Sequence, residues 1–187
     1  SGFTIQNGSG SPGGGIWCKW GASPSLKNLT ISNNSGGGIY IYQGSLSLNN
    51  VKISGNTSSY TGGGIWCDNF SGNLENVIIN NNTSNDNGGG IYFNDSNPTL
   101  TNVTISGNTA SGNGGGLYLW ESIPTIINSI IWNNIPGSVT AEVYEPIITY
   151  SDIQGGYTGT GNIDSDPLFC DADNNDFTLY DNSPCVG

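Results

Sequence analysis

A motif of three glycines, an aliphatic residue and an aromatic residue recurs along the chain and constrains its fold more than any other feature. The five copies begin at Gly13, Gly36, Gly62, Gly88 and Gly114. The last three intervals between them are equal, and the first interval is slightly shorter. Self-similarity at such a period is typical of architectures in which each repeat stacks on the next.

Between these motifs, short segments of alternating apolar and polar residues are separated by Gly, Asn, Ser or Pro. Alternation with a period of two is typical of β-strands. Each repeat, about 22–26 residues long, contains three such segments, whereas helical repeats need a different spacing. We therefore predict an all-β chain, a single-stranded right-handed parallel β-helix of about six turns.

The common register of the motifs predicts which side chains point inward. Four apolar columns are expected: Ile16, Ile39, Ile65, Ile91, Leu117 and, by extension, Val143; Cys18, Ile41, Cys67, Phe93 and Leu119; Leu26, Leu48, Leu74, Leu100, Ile126 and Ile148; Ile5, Ile31, Ile53, Ile79, Ile105, Ile131 and Ile153. A polar column follows the fourth: Asn34, Asn56, Asn82, Asn108 and Asn134. Stacked Asn amides are expected to hydrogen bond along the axis.

The four cysteines fall into two groups. Cys18 and Cys67 lie two turns apart in one column, which exceeds the reach of a disulfide, so we expect buried free thiols. Cys170 and Cys185 bracket a short acidic loop, and we predict that they form a disulfide. A close pair of this kind suggests an oxidising, extracellular setting.

The charge of the chain excludes several classes of partner. With three Lys, no Arg, no His and a net charge of −11, the chain cannot neutralise a run of phosphates, so nucleic acid is excluded. Anionic membrane surfaces and acidic polysaccharides are expected to be repelled, the latter unless divalent cations bridge the two. No apolar run approaches the roughly 20 residues of a membrane span. The lack of His also excludes Ser-His-Asp triads.

The C-terminal segment carries a more specific pattern. It contains YSDIQGG at 150–156, GNIDSDPLFCD at 161–171, DFTL at 176–179 and SPC at 183–185. This pattern resembles the closing motif of choice-of-anchor Q and related right-handed β-helix proteins of bacterial surfaces. The repeats are similar, more loosely, to those of polymorphic outer-membrane autotransporters. The resemblance implies the fold and export, and hence a secreted or cell-surface protein.

The predicted domain organisation has two parts. Residues 1–153 form the β-helix, and residues 154–187 form a cap that the disulfide pins over the last turn, because solenoids need protected ends. The chain starts within the repeat pattern, so we interpret it as a piece of a longer protein whose remaining parts are its partners.

An outward aromatic column flanks the first inward column. It contains Trp17, Tyr40, Trp66, Tyr92, Tyr118 and, by extension, Tyr144; the column beside it holds Lys19, Tyr42, Asp68, Asn94 and Trp120. Aromatic platforms with polar neighbours bind the flat faces of sugars. Stacked aromatic residues also stabilise neighbouring strands without any ligand, so both interpretations remain open.

The leading functional hypothesis is a non-catalytic extracellular module of a surface or adhesin-like protein. Its partners would be glycans or other surface proteins, and end-to-end stacking of copies is a further option. The second hypothesis is a carbohydrate-active enzyme with Asp95 and Glu121, which occupy equivalent positions in adjacent repeats, as the two carboxylates of a glycoside hydrolase. The third is a structural or ice-binding rod, although its outward columns are too mixed for a regular Thr grid.

A calcium site is the only cofactor that the sequence suggests. Asp171, Asp173 and Asn175 have the spacing of the first ligands of a calcium loop. The glycine and the glutamate that such a loop needs further on are replaced by Asp176 and Asn182. The acidic residues near the C-terminus are therefore a candidate site and not a complete motif.

Overall fold

The structure, a computed structural model, describes residues 2–186. Apart from a 3-10 turn at Ala172–Asn174, its regular elements are all strands. They are β1 (Thr4–Gln6), β2 (Ile16–Lys19), β3 (Ser25–Ser32), β4 (Ile39–Ser54), β5 (Thr57–Ser58), β6 (Ile65–Asn80), β7 (Thr83–Ser84), β8 (Ile91–Asn94), β9 (Thr99–Thr101), β10 (Thr104–Ser106), β11 (Thr109–Ala110), β12 (Leu117–Trp120), β13 (Thr125–Ile127), β14 (Ile130–Trp132), β15 (Val139–Ala141), β16 (Ile147–Thr149), β17 (Asp152–Ile153), β18 (Phe169–Asp171) and β19 (Asp176–Leu179).

Most strands stack in parallel on three faces of a solenoid, and the two-residue strands β5, β7 and β11 form a separate parallel ladder. The first face contains β2, the start of β4 and of β6, β8, β12 and β15. The second contains the start of β3, the middle of β4 and of β6, β9, β13 and β16. The third contains β1, the ends of β3, β4 and β6, β10, β14 and β17. The predicted parallel β-helix of about six turns is confirmed.

The inward columns have the predicted register, with one exception in the last turn of the first column. Ile5 pairs with Ile31, and the same series continues without a shift to Ile153. Most members of the four columns form one buried core, and the N-terminal member of each column is only partly buried: Ile5, Ile16, Cys18 and Leu26. Burial of these stacked side chains is the main favourable term that holds the turns together.

The predicted extension of the columns to Val143 and Tyr144 is wrong. The structure pairs Leu117 with Val139, and Val143 and Tyr144 lie exposed in the loop after β15. The last turn of this face contains fewer residues than the turns before it. Counting on from Leu117 by the longer repeat therefore passes the residue that actually pairs with it. Residues 136–138, a Pro-Gly-Ser sequence, take the place of the glycine triplet in this turn.

The predicted asparagine column is confirmed as a buried ladder. The Asn82 Oδ1 atom accepts hydrogen bonds from the Asn56 backbone N–H at 3.0 Å and from the Asn56 side-chain amide at 2.9 Å. The Asn82 amide in turn donates to the Ile53 carbonyl and to the Asn108 Oδ1 atom, both at 3.0 Å. The ladder therefore pairs polar groups that no water reaches, which removes the cost of burying them.

A second asparagine ladder lies at the exposed corner between the second and third faces. Its members are Asn28, Asn50, Asn76, Asn102 and Asn128, all in the left-handed region with φ between 50° and 55°. Among the common residues Asn tolerates this conformation well. Three neighbouring pairs are joined by side-chain hydrogen bonds of 2.7–3.0 Å. This recurring Asn therefore turns the chain at each of these corners.

One part of the C-terminal segment covers the last turn, and the other packs against the side of the rod. Around residues 157–163 it covers the last turn: Tyr157 packs against the core, and Ile153 donates its N–H to the Ile163 carbonyl at 3.0 Å. The antiparallel hairpin of β18 and β19 instead folds back along the outside of the third face, where Asn175 accepts hydrogen bonds from Asn81 and from Lys52. Covering the end of the rod is thus only part of what this segment does.

Candidate functional site

The aromatic column is built by the register of the first face. Trp17 pairs with Tyr40, Tyr40 with Trp66, Trp66 with Tyr92, and Tyr92 with Tyr118. Neighbouring ring centroids are 4.5–6.3 Å apart. The rings lie outside the core, as the alternation along each strand predicts.

Most rings in this column are packed against neighbouring side chains, which cover part of their surface. Tyr92 and Tyr118 are stacked with an angle of 13° between their planes, and Tyr118 is only 5 % exposed. Burial and the negative charge of the nearby Glu142 carboxylate raise the pKa of Tyr118 to about 12. The indole N–H of Trp66 is buried without a hydrogen-bond partner. These three residues therefore act mainly as packing, and a sugar cannot lie face to face on the whole column.

The accessible aromatic surface lies at the N-terminal end of the column. Trp17 is 51 % exposed and Trp20, at the corner after β2, is 72 % exposed. The Lys19 ammonium lies 4.3 Å from the Trp17 ring centroid and 4.2 Å from the Trp20 ring centroid. The sequence pattern did not single out Trp20, because it falls on a corner with φ of 54° and not on a strand. We call Trp17, Lys19 and Trp20 the tryptophan–lysine cluster.

Tyr42 and Trp120, which were also predicted to contact a glycan, lie in the column of Lys19. Tyr42 is the direct neighbour of Lys19 and is half-buried. Trp120 is 42 % exposed, but Tyr42, Asp68 and Asn94 separate it from Lys19 in this column. At about 4.8 Å per turn, Trp120 is too far away to share one small ligand with the cluster.

Charge is distributed unevenly along the rod. Residues 1–67 contain all three Lys and no acid, whereas residues 68–187 contain all fourteen acids and no Lys or Arg. The turns built by residues 1–67 therefore carry only positive charges on their side chains, and the turns built after residue 67 carry only negative ones. The acids of the C-terminal hairpin lie along the third face, where Asn175 contacts Lys52. Screening limits such fields to about 8–10 Å at physiological salt. The predicted repulsion of acidic polysaccharides therefore applies to the later turns and not to the tryptophan–lysine cluster.

The two carboxylates of the enzyme hypothesis lie at one corner of adjacent turns. Asp95 and Glu121 follow the paired residues Asn94 and Trp120. Both are exposed and have left-handed backbones, with φ of 46° and 49°. Gln43 and Asn69 occupy the same corner in earlier turns with the same conformation. The position of the pair is therefore explained by the corner that each turn needs.

The residues of the candidate calcium loop contact other protein groups. The Asp171 carboxylate accepts hydrogen bonds from the Asn174 backbone N–H at 3.3 Å and from its side-chain amide at 2.8 Å, and so caps the 3-10 turn. Asn175 contacts the third face, and Asp173 is exposed. Within residues 2–186, no group of three or more His, Cys, Asp or Glu side chains is placed to hold a metal ion.

A groove of about 630 Å³ separates the third face from the hairpin. Its lining includes Ile130, Phe177, Asp152 and Cys185. The Cys185 thiol donates to the Asp152 Oδ2 atom at 3.1 Å, and Asp152 is only 2 % exposed. Burial raises the pKa of the Asp152 carboxyl, and burial together with Asp152 raises the pKa of the Cys185 thiol to about 12.

The structure differs from the predicted disulfide. Cys170 and Cys185 are not bonded to each other in the structure, where the Cys185 thiol donates to the Asp152 carboxylate. Cys18 and Cys67 are also free, as predicted, although Cys18 is only partly buried. A thiol count on the unreduced, denatured chain separates the two arrangements: four thiols correspond to the structure and two to the predicted bond.

In the reduced protein, replacing Asp152 by Asn is expected to speed the alkylation of Cys185. The change removes the negative charge and the acceptor that raise the pKa of the thiol, so more thiolate is present at pH 9. We expect a rise of about threefold to tenfold, measured by peptide mass spectrometry after timed iodoacetamide treatment. Asp173→Asn, an exposed control on the hairpin, should leave the rate unchanged; equal rates in all three proteins would contradict the contact.

Within residues 2–186, the structure has no helix with the length and apolar character that a membrane span requires. A family model described as a right-handed β-helix region matches residues 2–131, which is more than half of the chain. No curated protein and no solved structure matches the chain. The C-terminal likeness to choice-of-anchor Q proteins lies outside the matched residues and stays a prediction. From its fold and this match, the chain belongs to the right-handed β-helix family.

Proposed function

We propose that the chain is a non-catalytic module of a secreted or cell-surface, adhesin-like protein. We also propose that its tryptophan–lysine cluster, at the N-terminal end of the rod, binds glycans. The exposed indoles of Trp17 and Trp20 carry this proposal. Large aromatic side chains exposed next to a polar group are suited to the apolar faces of sugars, whose hydroxyls then bind polar neighbours. Proteins of the right-handed β-helix family are often extracellular, which supports the proposed location.

The neighbouring rings of the aromatic column pack against Trp17 and hold it in position. The Trp17 ring lies 6.2 Å from the Tyr40 ring, and the Tyr40 ring lies 4.5 Å from the Trp66 ring. This packing holds Trp17 in one place before any ligand arrives. A preorganised platform loses less conformational entropy on binding, which favours affinity.

The geometry favours binding over hydrolysis. Asp95 and Glu121 are exposed on a corner, and neither lines the groove. A general acid in a hydrolase depends on burial and on its neighbours to hold a proton near neutral pH. The ice-binding alternative is not supported by a regular surface, because Thr30, Lys52 and Ile78 occupy one outward column of the third face.

Replacing Trp17 by Ala tests the proposed function directly. Removing one aromatic platform is expected to cost about 1 kcal/mol, or about fivefold in affinity for short oligosaccharides. Binding is measured by titration calorimetry against a panel of neutral and charged oligosaccharides, with circular dichroism as a check on folding. Tyr60→Ala, which removes a ring that is 60 % exposed elsewhere on the rod, should bind as the parent does. If no glycan in the panel binds the parent, or if both variants lose affinity equally, the proposal is wrong.

A further inference from the structure

The tryptophan–lysine cluster contains one of only three cations in the chain. Its ammonium lies over two exposed indole rings at once. Cation–π contacts hold such an ammonium in place, but an ammonium also has three N–H donors that favour oxygen acceptors. Lys19 is thus a positioned cation at the centre of an aromatic surface.

No acid lies close to this cation along its column. Lys19 is followed by Tyr42 and then by Asp68, so the first acid lies two turns away, about 10 Å. The Asp68 carboxylate already accepts a hydrogen bond from Asn94 at 3.1 Å, on the side away from Lys19. Residues 1–67 contain no acid at all. The ammonium is therefore available to an acceptor that comes from outside the chain.

We infer that the tryptophan–lysine cluster is a subsite for an anionic sugar. The sugar ring stacks on an exposed indole of Trp17 or Trp20, and its carboxylate or sulfate pairs with the Lys19 ammonium. Tyr42, next to Lys19, supplies a hydroxyl on the same face. This inference rests on the proposed function and specifies the class of glycan.

The positive field of the first turns supports this choice of ligand. A short anionic oligosaccharide at the cluster meets Lys19 directly, and the first acid in the same column, Asp68, lies two turns away. A longer polyanion that follows the axis reaches the turns beyond Asp68, where the charge is negative. The subsite therefore favours short or terminal anionic sugars.

The test uses titration calorimetry at low salt with three matched ligands: a neutral β-1,4-glucan oligosaccharide, its C6-carboxylated counterpart and its C6-sulfated counterpart. The parent is expected to bind at least one charged form about tenfold more tightly than the neutral one, because a hydrogen bond between charged groups is strong. The two charged ligands show which anionic group is preferred. Lys19→Gln should remove the preference for the charged forms over the neutral one, and Lys19→Arg should keep that preference.

Lys27→Gln is the matched control, since Lys27 is an exposed lysine on the second face, and it should bind all three ligands as the parent does. If the parent binds the neutral and charged ligands equally, this inference is wrong and the proposed function stands. A preference that survives in Lys19→Gln, or that is lost equally in Lys27→Gln, also overturns it. If none of the three ligands binds, this inference is wrong, and if the wider oligosaccharide panel does not bind either, the proposed function is also wrong.

Discussion

Replacing Asn82 by Ala is expected to lower the free energy of unfolding by about 3–4 kcal/mol, because it breaks the buried ladder at its middle. The change removes the side-chain partner of the Asn56 N–H and of the Ile53 carbonyl, and one of the two acceptors of the Asn56 amide. Asn82 is fully buried, so water cannot replace these bonds. Urea unfolding followed by circular dichroism measures the loss.

The matched control is Asn102→Gly in the exposed corner ladder. Asn102 hydrogen bonds to Asn76 and Asn128 but is open to solvent. Glycine keeps the left-handed backbone there, so only solvent-exposed hydrogen bonds are lost and we expect less than about 1 kcal/mol. Equal losses in Asn82→Ala and Asn102→Gly would show that the buried ladder is not a main source of stability.

Replacing Gly64 by Ala is expected to destabilise the fold by about 2–3 kcal/mol. A Cβ atom at this position would lie 2.6 Å from the Gly90 carbonyl oxygen of the next turn and 3.1 Å from both the Asn82 amide nitrogen and the Ile79 Cγ2 atom. The first of these contacts is with backbone, which cannot move without separating two turns. The midpoint of thermal or urea unfolding should fall accordingly.

Gly10→Ala provides the comparison for this prediction. A Cβ atom on Gly10 meets no atom within 4 Å, and the backbone there is not left-handed. We expect a change within about 0.5 kcal/mol, typical of an open surface position. If Gly64→Ala is as stable as Gly10→Ala, the glycine triplet does not serve the close approach of the turns.

The columns could be predicted from the sequence because each stacked position repeats the same physical environment. Ile5 and Ile153 lie at opposite ends of one column, and both were placed correctly by counting along the repeat. Counting failed at Val143, because the last turn is shorter than the turns before it. Ile148 and Ile153 already show the shorter offset in the sequence, so applying it to the first column would have found Val139.

The candidate site was less predictable because it depends on contacts that do not repeat. Trp20 occurs once, on a corner that other turns fill with Gln43 or Asn69, so no periodic pattern identifies it. The folded-back hairpin depends on Asn175 meeting Lys52, which is distant in the chain. The periodic pattern did identify the aromatic column, but it could not show that the rings of Tyr92 and Tyr118 cover each other.

The most direct test of the proposed function is one equilibrium dialysis experiment with a mixed panel of neutral and anionic oligosaccharides. Both the bound fraction and the length of every oligosaccharide are read by mass spectrometry from the same samples. We predict saturable binding of intact oligosaccharides, weakened in Trp17→Ala, with no shortening of any ligand after prolonged incubation. Shortened products that disappear in Glu121→Gln would instead identify a glycoside hydrolase, and the absence of any bound ligand would contradict a glycan-binding module.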